Sequence, residues 1–141
     1  MTVMEEEHLV FEYEKKKLIE LELLELADQV IWHRDYAKDR TPGWDITSYL
    51  NNGEKKLIEV KGTEGKSISS LNLTVKEWNK ARDANLREYY YIYLVYNALT
   101  KPKIQVIHNP AEWVERGRLE IQTSEFELSL YDNAQQKLSF S

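Results

Sequence analysis

Asp45, Glu59 and Lys61 are the residues whose types and spacing point to chemistry. Glu59 and Lys61 stand in the stretch L-I-E-V-K-G, whose apolar alternation predicts a strand. A strand sends successive side chains to opposite faces, so Glu59 and Lys61 share one face and Ile58 and Val60 the other. The chain contains four E-x-K triplets, Glu14/Lys16, Glu54/Lys56, Glu59/Lys61 and Glu64/Lys66, and Glu59/Lys61 alone is set in an apolar strand pattern. Upstream, Asn51-Asn52-Gly53 suits a three-residue hairpin loop, a type I turn followed by a left-handed glycine. That loop pairs Leu50 with Glu54. Counting back sets Asp45 opposite Glu59 on the shared face, with Trp44, Ile46, Leu50, Ile58 and Val60 on the apolar one. Two adjacent carboxylates repel each other, and a hard cation such as Mg²⁺ or Mn²⁺ relieves this with oxygen ligands. A cation to polarise a phosphate and acidify water, with an ammonium beside it, meets the needs of phosphodiester hydrolysis. A surface network of charges without any ligand accounts for the same three side chains equally well.

The elements that must position these groups follow from periodicity. Residues 4 to 28 carry Leu18, Ile19, Leu21, Leu23, Leu24 and Leu26 on a broad apolar stripe among Glu and Lys, which predicts one long helix. Short strands are expected over 29–34 and 44–50, and a longer one in KKLIEVKG. GTEGKSISS reads as a loop. Thr74 and Glu77 form a capping-box pattern that opens a helix from Val75 to about Arg87. YYYIYLVYNA and KIQVIH read as strands, Pro110 starts a short helix through Arg116, and the tail from EFELSLYD to KLSFS reads as a terminal hairpin. The fold class expected is α/β in the α+β sense: helices flanking a mixed sheet.

The 141 residues suit a single domain, 1–141, with a core over about 10–113 and a C-terminal extension over 114–141. With 42% hydrophobic and 30% charged residues the chain is globular in composition. The absence of cysteine excludes disulfides, thiolate nucleophiles and cysteine-based zinc sites. His8, His33 and His108 have no local metal spacing and read as structural or exposed. The N-terminus is acidic rather than signal-like, and no apolar run approaches a membrane span, so a cytoplasmic protein with no membrane partner is expected. The net charge of −5 argues against a sequence-independent clamp on DNA but leaves room for an acidic metal site.

GWDI, IEVKG, LTVKEWNKA, YYYIYLVYNA and IHNP follow one another in an order that resembles the NO VEIN C-terminal domain family, which in turn resembles the PD-(D/E)xK restriction-endonuclease-like nucleases. The resemblance covers roughly residues 10 to 113. It implies an αβββαβ core and a metal-dependent nuclease acting on DNA in restriction, defence or repair. Asp45 and Glu59 would then be Mg²⁺ or Mn²⁺ ligands, the Val60 carbonyl a third ligand and Lys61 the catalytic lysine. It also implies an acidic residue on the first helix. Glu12, Glu14 and Glu20 are the candidates, and Glu14 is chosen because it shares a helical face with Leu18 and Leu21. Lys76 stands where the family shows asparagine. A helicase or other defence-system protein is the implied partner, and a homodimer would allow paired cuts in duplex DNA. The alternative is a catalytically silent nuclease-like module that binds nucleic acid or protein.

Other residues carry weaker signals. Glu77 reads first as a helix cap, Trp78 and the alternate tyrosines from Tyr89 to Tyr96 as packing. Lys76, Lys80 and Arg87 read as a solvated face.

Overall fold

The structure is a computed structural model, and it describes residues 1–34, 41–63, 70–98 and 101–124. Helices α1 (Val3–Glu20) and α2 (Leu24–Asp28) precede strands β1 (Ile31–Trp32), β2 (Ile46–Tyr49) and β3 (Lys55–Gly62). Strand β4 (Ser70–Thr74), helix α3 (Val75–Ala81) and a 3₁₀ turn (Arg87–Tyr89) lead to β5 (Tyr90–Ala98) and β6 (Lys101–His108). Helix α4 (Pro110–Glu115) and β7 (Glu120–Ser124) complete the described chain. The tail hairpin expected from EFELSLYD and KLSFS lies outside the described residues. Among them, no helix is long and apolar enough to cross a membrane.

Five strands form a mixed sheet in the order β1-β2-β3-β5-β6, and β4 pairs with β7 in a separate parallel ribbon. The fold is thus the mixed α/β class expected. The hairpin register is also the one the loop implies. Leu50 N–H donates to the Glu54 carbonyl at 2.8 Å, Gly53 takes φ +91°, and Ile46 lies opposite Ile58. β3 then pairs with β5 in parallel, a step that needs a crossover connection, and α3 lies within it.

The two faces of this sheet bury different cores. Val10 and Leu18 of α1 pack with Ile46, Ile58, Val60, Tyr91 and Tyr93 on one face. Leu57, Tyr90, Ile92, Leu94 and Ile107 pack with Leu71, Leu73 and Ala81 on the other. Parallel pairing at β3–β5 demands burial on both faces, which explains why tyrosines on β5 serve packing rather than an open surface.

Several expectations need correction. The helix expected over 4–28 breaks at Leu21–Leu23, where Glu22 adopts φ +62° and the Leu23 N–H returns to the Leu18 carbonyl. Leucines occur on every face of this stretch. The break leaves Ile19, Leu21 and Leu24 exposed while turning Ala27 into the core. The helix from Val75 stops at Ala81 rather than Arg87, because the Asp83 side chain accepts the Asn85 N–H in a local turn. The strand over 70–74 and its partner over 120–124 have no counterpart in the sequence reading. Trp44 lies before β2 and packs in the core on the α3 side, not with Ile46. Alternation holds only within a strand, and Trp44 is outside it.

Candidate functional site

Asp45 is held at the point where the β2–β3 ladder ends. Its N–H donates to the Ile58 carbonyl at 2.8 Å, and its own carbonyl accepts the His33 N–H at 2.9 Å. Beyond it Trp44 leaves the strand, so the Val60 N–H would lose its ladder partner. The Asp45 carboxylate takes that role, with Oδ2 accepting from Val60 at 2.9 Å. Upstream, the Tyr90 hydroxyl donates to the Gly43 carbonyl at 2.7 Å and ties the approach to β5. Gly43 is at φ +111°, a backbone state that favours glycine.

Glu59 follows Ile58, whose carbonyl holds the Asp45 N–H, and it pairs in parallel with Ile92, so its carboxylate points into the α3-side core. It is 3% exposed, and Oε1 is buried with no hydrogen-bond partner. Lys61, one alternation further, places Nζ 3.3 Å from Glu59 Oε2 and 3.3 Å from Glu77 Oε1. The structure therefore brings Asp45, Glu59 and Lys61 together. They line one cleft of about 310 Å³ with Glu7, Arg34 and Glu77.

The electrostatics are those of an under-compensated acidic pocket. Burial, then the Glu7 charge, push the Asp45 carboxyl up to about 7, against the pull of the Val60 N–H and Lys61. Burial, then Asp45 and Glu77, push Glu59 well above the carboxylate range, with Lys61 opposing. Burial disfavours the Lys61 ammonium, but Glu59 and Glu77 outweigh it and its pKa rises.

The first-helix candidate does not line the cleft. Glu14 is fully buried on the α1 side of the sheet, away from the cleft. Its Oε1 accepts from the Ser48 hydroxyl at 2.8 Å, its two oxygens accept from Lys56 at 3.1 Å each, and Oε2 accepts from the Tyr93 hydroxyl at 2.5 Å. The α1 glutamates that line the cleft are Glu6 and Glu7, and neither is one of the three candidates. Glu7, Val10, Glu14 and Leu18 are the buried face of α1, so Glu7 stands two helical turns before Glu14 on that face. The face was readable from the sequence, but the level along it was not. Glu7 Oε1 accepts from Trp32 Nε1 at 2.9 Å and pairs with Arg34 Nε at 3.1 Å.

Arg34 and Glu6 were also missed. Glu6 lies so close over Gly62 that a Cβ there would fall 1.9 Å from Glu6 Oε2. The Glu77 carboxylate caps α3 as expected, and its contact with Lys61 is additional. Lys76 donates to the Thr41 carbonyl, and Arg87 forms a two-point pair with Glu115 at 2.8 Å. Neither faces the cleft.

Among the described residues, no three or more His, Cys, Asp and Glu side chains are grouped as a ready-made metal cage. A cation would rest on two carboxylates, backbone and water. The donor chemistry fits a hard divalent ion: all oxygen, one oxygen orphaned by burial, and two carboxyls whose repulsion a cation relieves.

A family model described as Protein NO VEIN, C-terminal, matches residues 6–107. No curated protein and no solved structure matches.

Proposed function

The chain belongs to the NO VEIN C-terminal family, and from that premise we propose that it is a metal-dependent nuclease domain hydrolysing DNA phosphodiester bonds. The observation that carries the reading is the buried, unpartnered Glu59 Oε1, in a carboxylate pocket with Asp45 and with the Lys61 ammonium 3.3 Å from the other Glu59 oxygen. Such an arrangement is unfavourable without a cation and becomes favourable with one. Asp45, Glu59 and the Val60 carbonyl would hold Mg²⁺ or Mn²⁺, which when bound polarises a phosphate and lowers the pKa of water.

The chain's own residues do the remainder. Lys61 carries a positive charge to the place where charge grows on the phosphoryl oxygens, and it orients the attacking water. Arg34 is partly exposed at the cleft with Nε held by Glu7, and its guanidinium would be available to an incoming phosphate. Asp45 keeps Val60 in place through one carboxylate oxygen, and its second oxygen would be the one to hold the ion. A helicase or other defence-system protein would supply the DNA grip that a net charge of −5 does not favour.

The test is calorimetric Mn²⁺ binding combined with cleavage of plasmid and oligonucleotide substrates. Millimolar or tighter binding with metal-dependent cleavage supports the reading. DNA binding without cleavage under every metal tested would instead support a silent binding module. That second reading draws on one observation: Lys61 is already engaged by two carboxylates.

A further inference from the structure

Glu77 occupies the N3 position of α3 and completes a reciprocal capping box with Thr74. The Glu77 N–H donates to Thr74 Oγ1 at 3.1 Å, and Glu77 Oε1 accepts the Thr74 N–H at 3.0 Å. That same Oε1 accepts from Lys61 Nζ at 3.3 Å. A cap needs only an acceptor facing its own N-cap residue, and it has no use for a cation from another strand. Here the carboxylate is pinned at the β4–α3 junction first, and Lys61 of β3 reaches it across the cleft. Both side chains are partly shielded, at 26% and 18% exposure, so the pair is less screened than a surface ion pair.

Resting on the hydrolase reading above, we propose that Glu77 is the positioning residue of Lys61, holding the ammonium between itself and Glu59 so that it is shared by both carboxylates rather than given to Glu59 alone. Glu59 Oε2 is the other carboxylate oxygen within reach of Nζ, also at 3.3 Å. With Glu77 removed, Glu59 is the ion-pair partner that remains to the lysine among the described residues. Its ammonium then pairs with Glu59 alone and leaves the position from which it would act. The helix cap thereby fixes the working geometry of the strand lysine.

The experiment uses the full chain carrying Glu77→Ala, Glu77→Gln or Asn79→Gly, each with and without Lys61→Met. Asn79 is exposed on the same helix, and its substitution loosens α3 while leaving Glu77 in place. Mn²⁺ binding is read by calorimetry, DNA cleavage at saturating Mn²⁺ by turnover, and exposure of Lys61 by acetylation with a water-soluble ester and mass spectrometry. Glu77→Ala is expected to weaken Mn²⁺ binding by about tenfold, and Lys61→Met in the same chain to restore it. Turnover of Glu77→Ala is expected to fall by about a hundredfold with little change in KM. Glu77→Gln, which keeps an acceptor for both Thr74 and Lys61, recovers most of that loss. Lys61 is acetylated at a different rate in Glu77→Ala from wild type, and Asn79→Gly behaves as wild type throughout. Equal Mn²⁺ affinity and equal Lys61 acetylation in Glu77→Ala and wild type would overturn the proposal. If the wild type itself takes up no Mn²⁺, the hydrolase reading fails. The acetylation comparison then decides by itself whether Glu77 holds Lys61, unchanged labelling overturning it.

Discussion

Glu7 and Glu14 stand two turns apart on the same buried face of α1, yet they meet different neighbours. Glu7 faces the cleft that holds Asp45, whereas Glu14 bonds Ser48 and Lys56 beneath the sheet. The Lys56 amine is pushed down to about 8, by burial first and against the pull of Glu14. Glu14 lies below its ordinary value because Lys56, Tyr93, Lys17 and Ser48 together outweigh its burial.

That buried pair gives the first prediction. Lys56→Met leaves the Glu14 charge without its closest cation and should cost about 3–5 kcal/mol of stability. Adding Glu14→Gln to Lys56→Met should recover a large part, since the orphaned charge goes with it. Urea denaturation of the two variants measures this. Glu14→Gln by itself should leave Mn²⁺ affinity of the folded chain unchanged, and a selective loss of metal binding would return Glu14 to the site.

A second prediction concerns pH. Asp45 is raised from 3.8 to about 7, so the folded chain holds its proton more tightly than the unfolded chain. Stability from that proton is fully present below 3.8 and is lost as pH rises through about 7; Glu59, also raised, adds a loss of the same sign. Without divalent ions, the melting temperature should therefore be lower at pH 8 than at pH 6, and Asp45→Asn should flatten the difference. Mn²⁺ binds the ionised carboxylates, so its stabilisation should be larger at pH 8. Thermal melts in chelator and in Mn²⁺ check both signs; equal gains at the two pH values would contradict the assignment.

The third prediction separates ligand from catalyst. Asp45→Asn keeps an acceptor for the Val60 N–H but removes an anionic ligand, so Mn²⁺ binding should weaken. Lys61→Ala removes a cation, so Mn²⁺ affinity should hold or rise while cleavage falls by about a hundredfold or more. Calorimetry and cleavage on the same preparations compare them. Parallel behaviour of the two variants would mean that Lys61 acts only on the metal.

A fourth prediction tests the hairpin that sets the register. Gly53 is at φ +91° with nothing within 4 Å of where a Cβ would sit. Gly53→Ala therefore brings no clash but a strained backbone, and should lose about 1–2 kcal/mol. Denaturant melts measure the loss. The Asp45–Glu59 pairing should survive in the folded fraction, read as unchanged Mn²⁺ affinity.

Much of this protein was determined by short stretches of its sequence. Alternation in KKLIEVKG and the Asn51-Asn52-Gly53 loop set Ile46 across from Ile58, because a tight turn leaves two adjoining strands one favourable register. The Thr74–Glu77 cap was equally local. Tertiary structure decided the rest. Which glutamate of α1 meets Asp45 depends on how far the helix slides along the sheet, a matter of packing Val10 and Leu18 against residues distant in sequence. The break at Glu22 and the β4–β7 ribbon likewise turn on long-range burial that overrides local periodicity. The contact of Lys61 with Glu77 joins a strand and a helix cap that the sequence states separately. Only the crossover from β3 to β5 places one above the other, because a parallel pair requires the intervening chain to return over the sheet face.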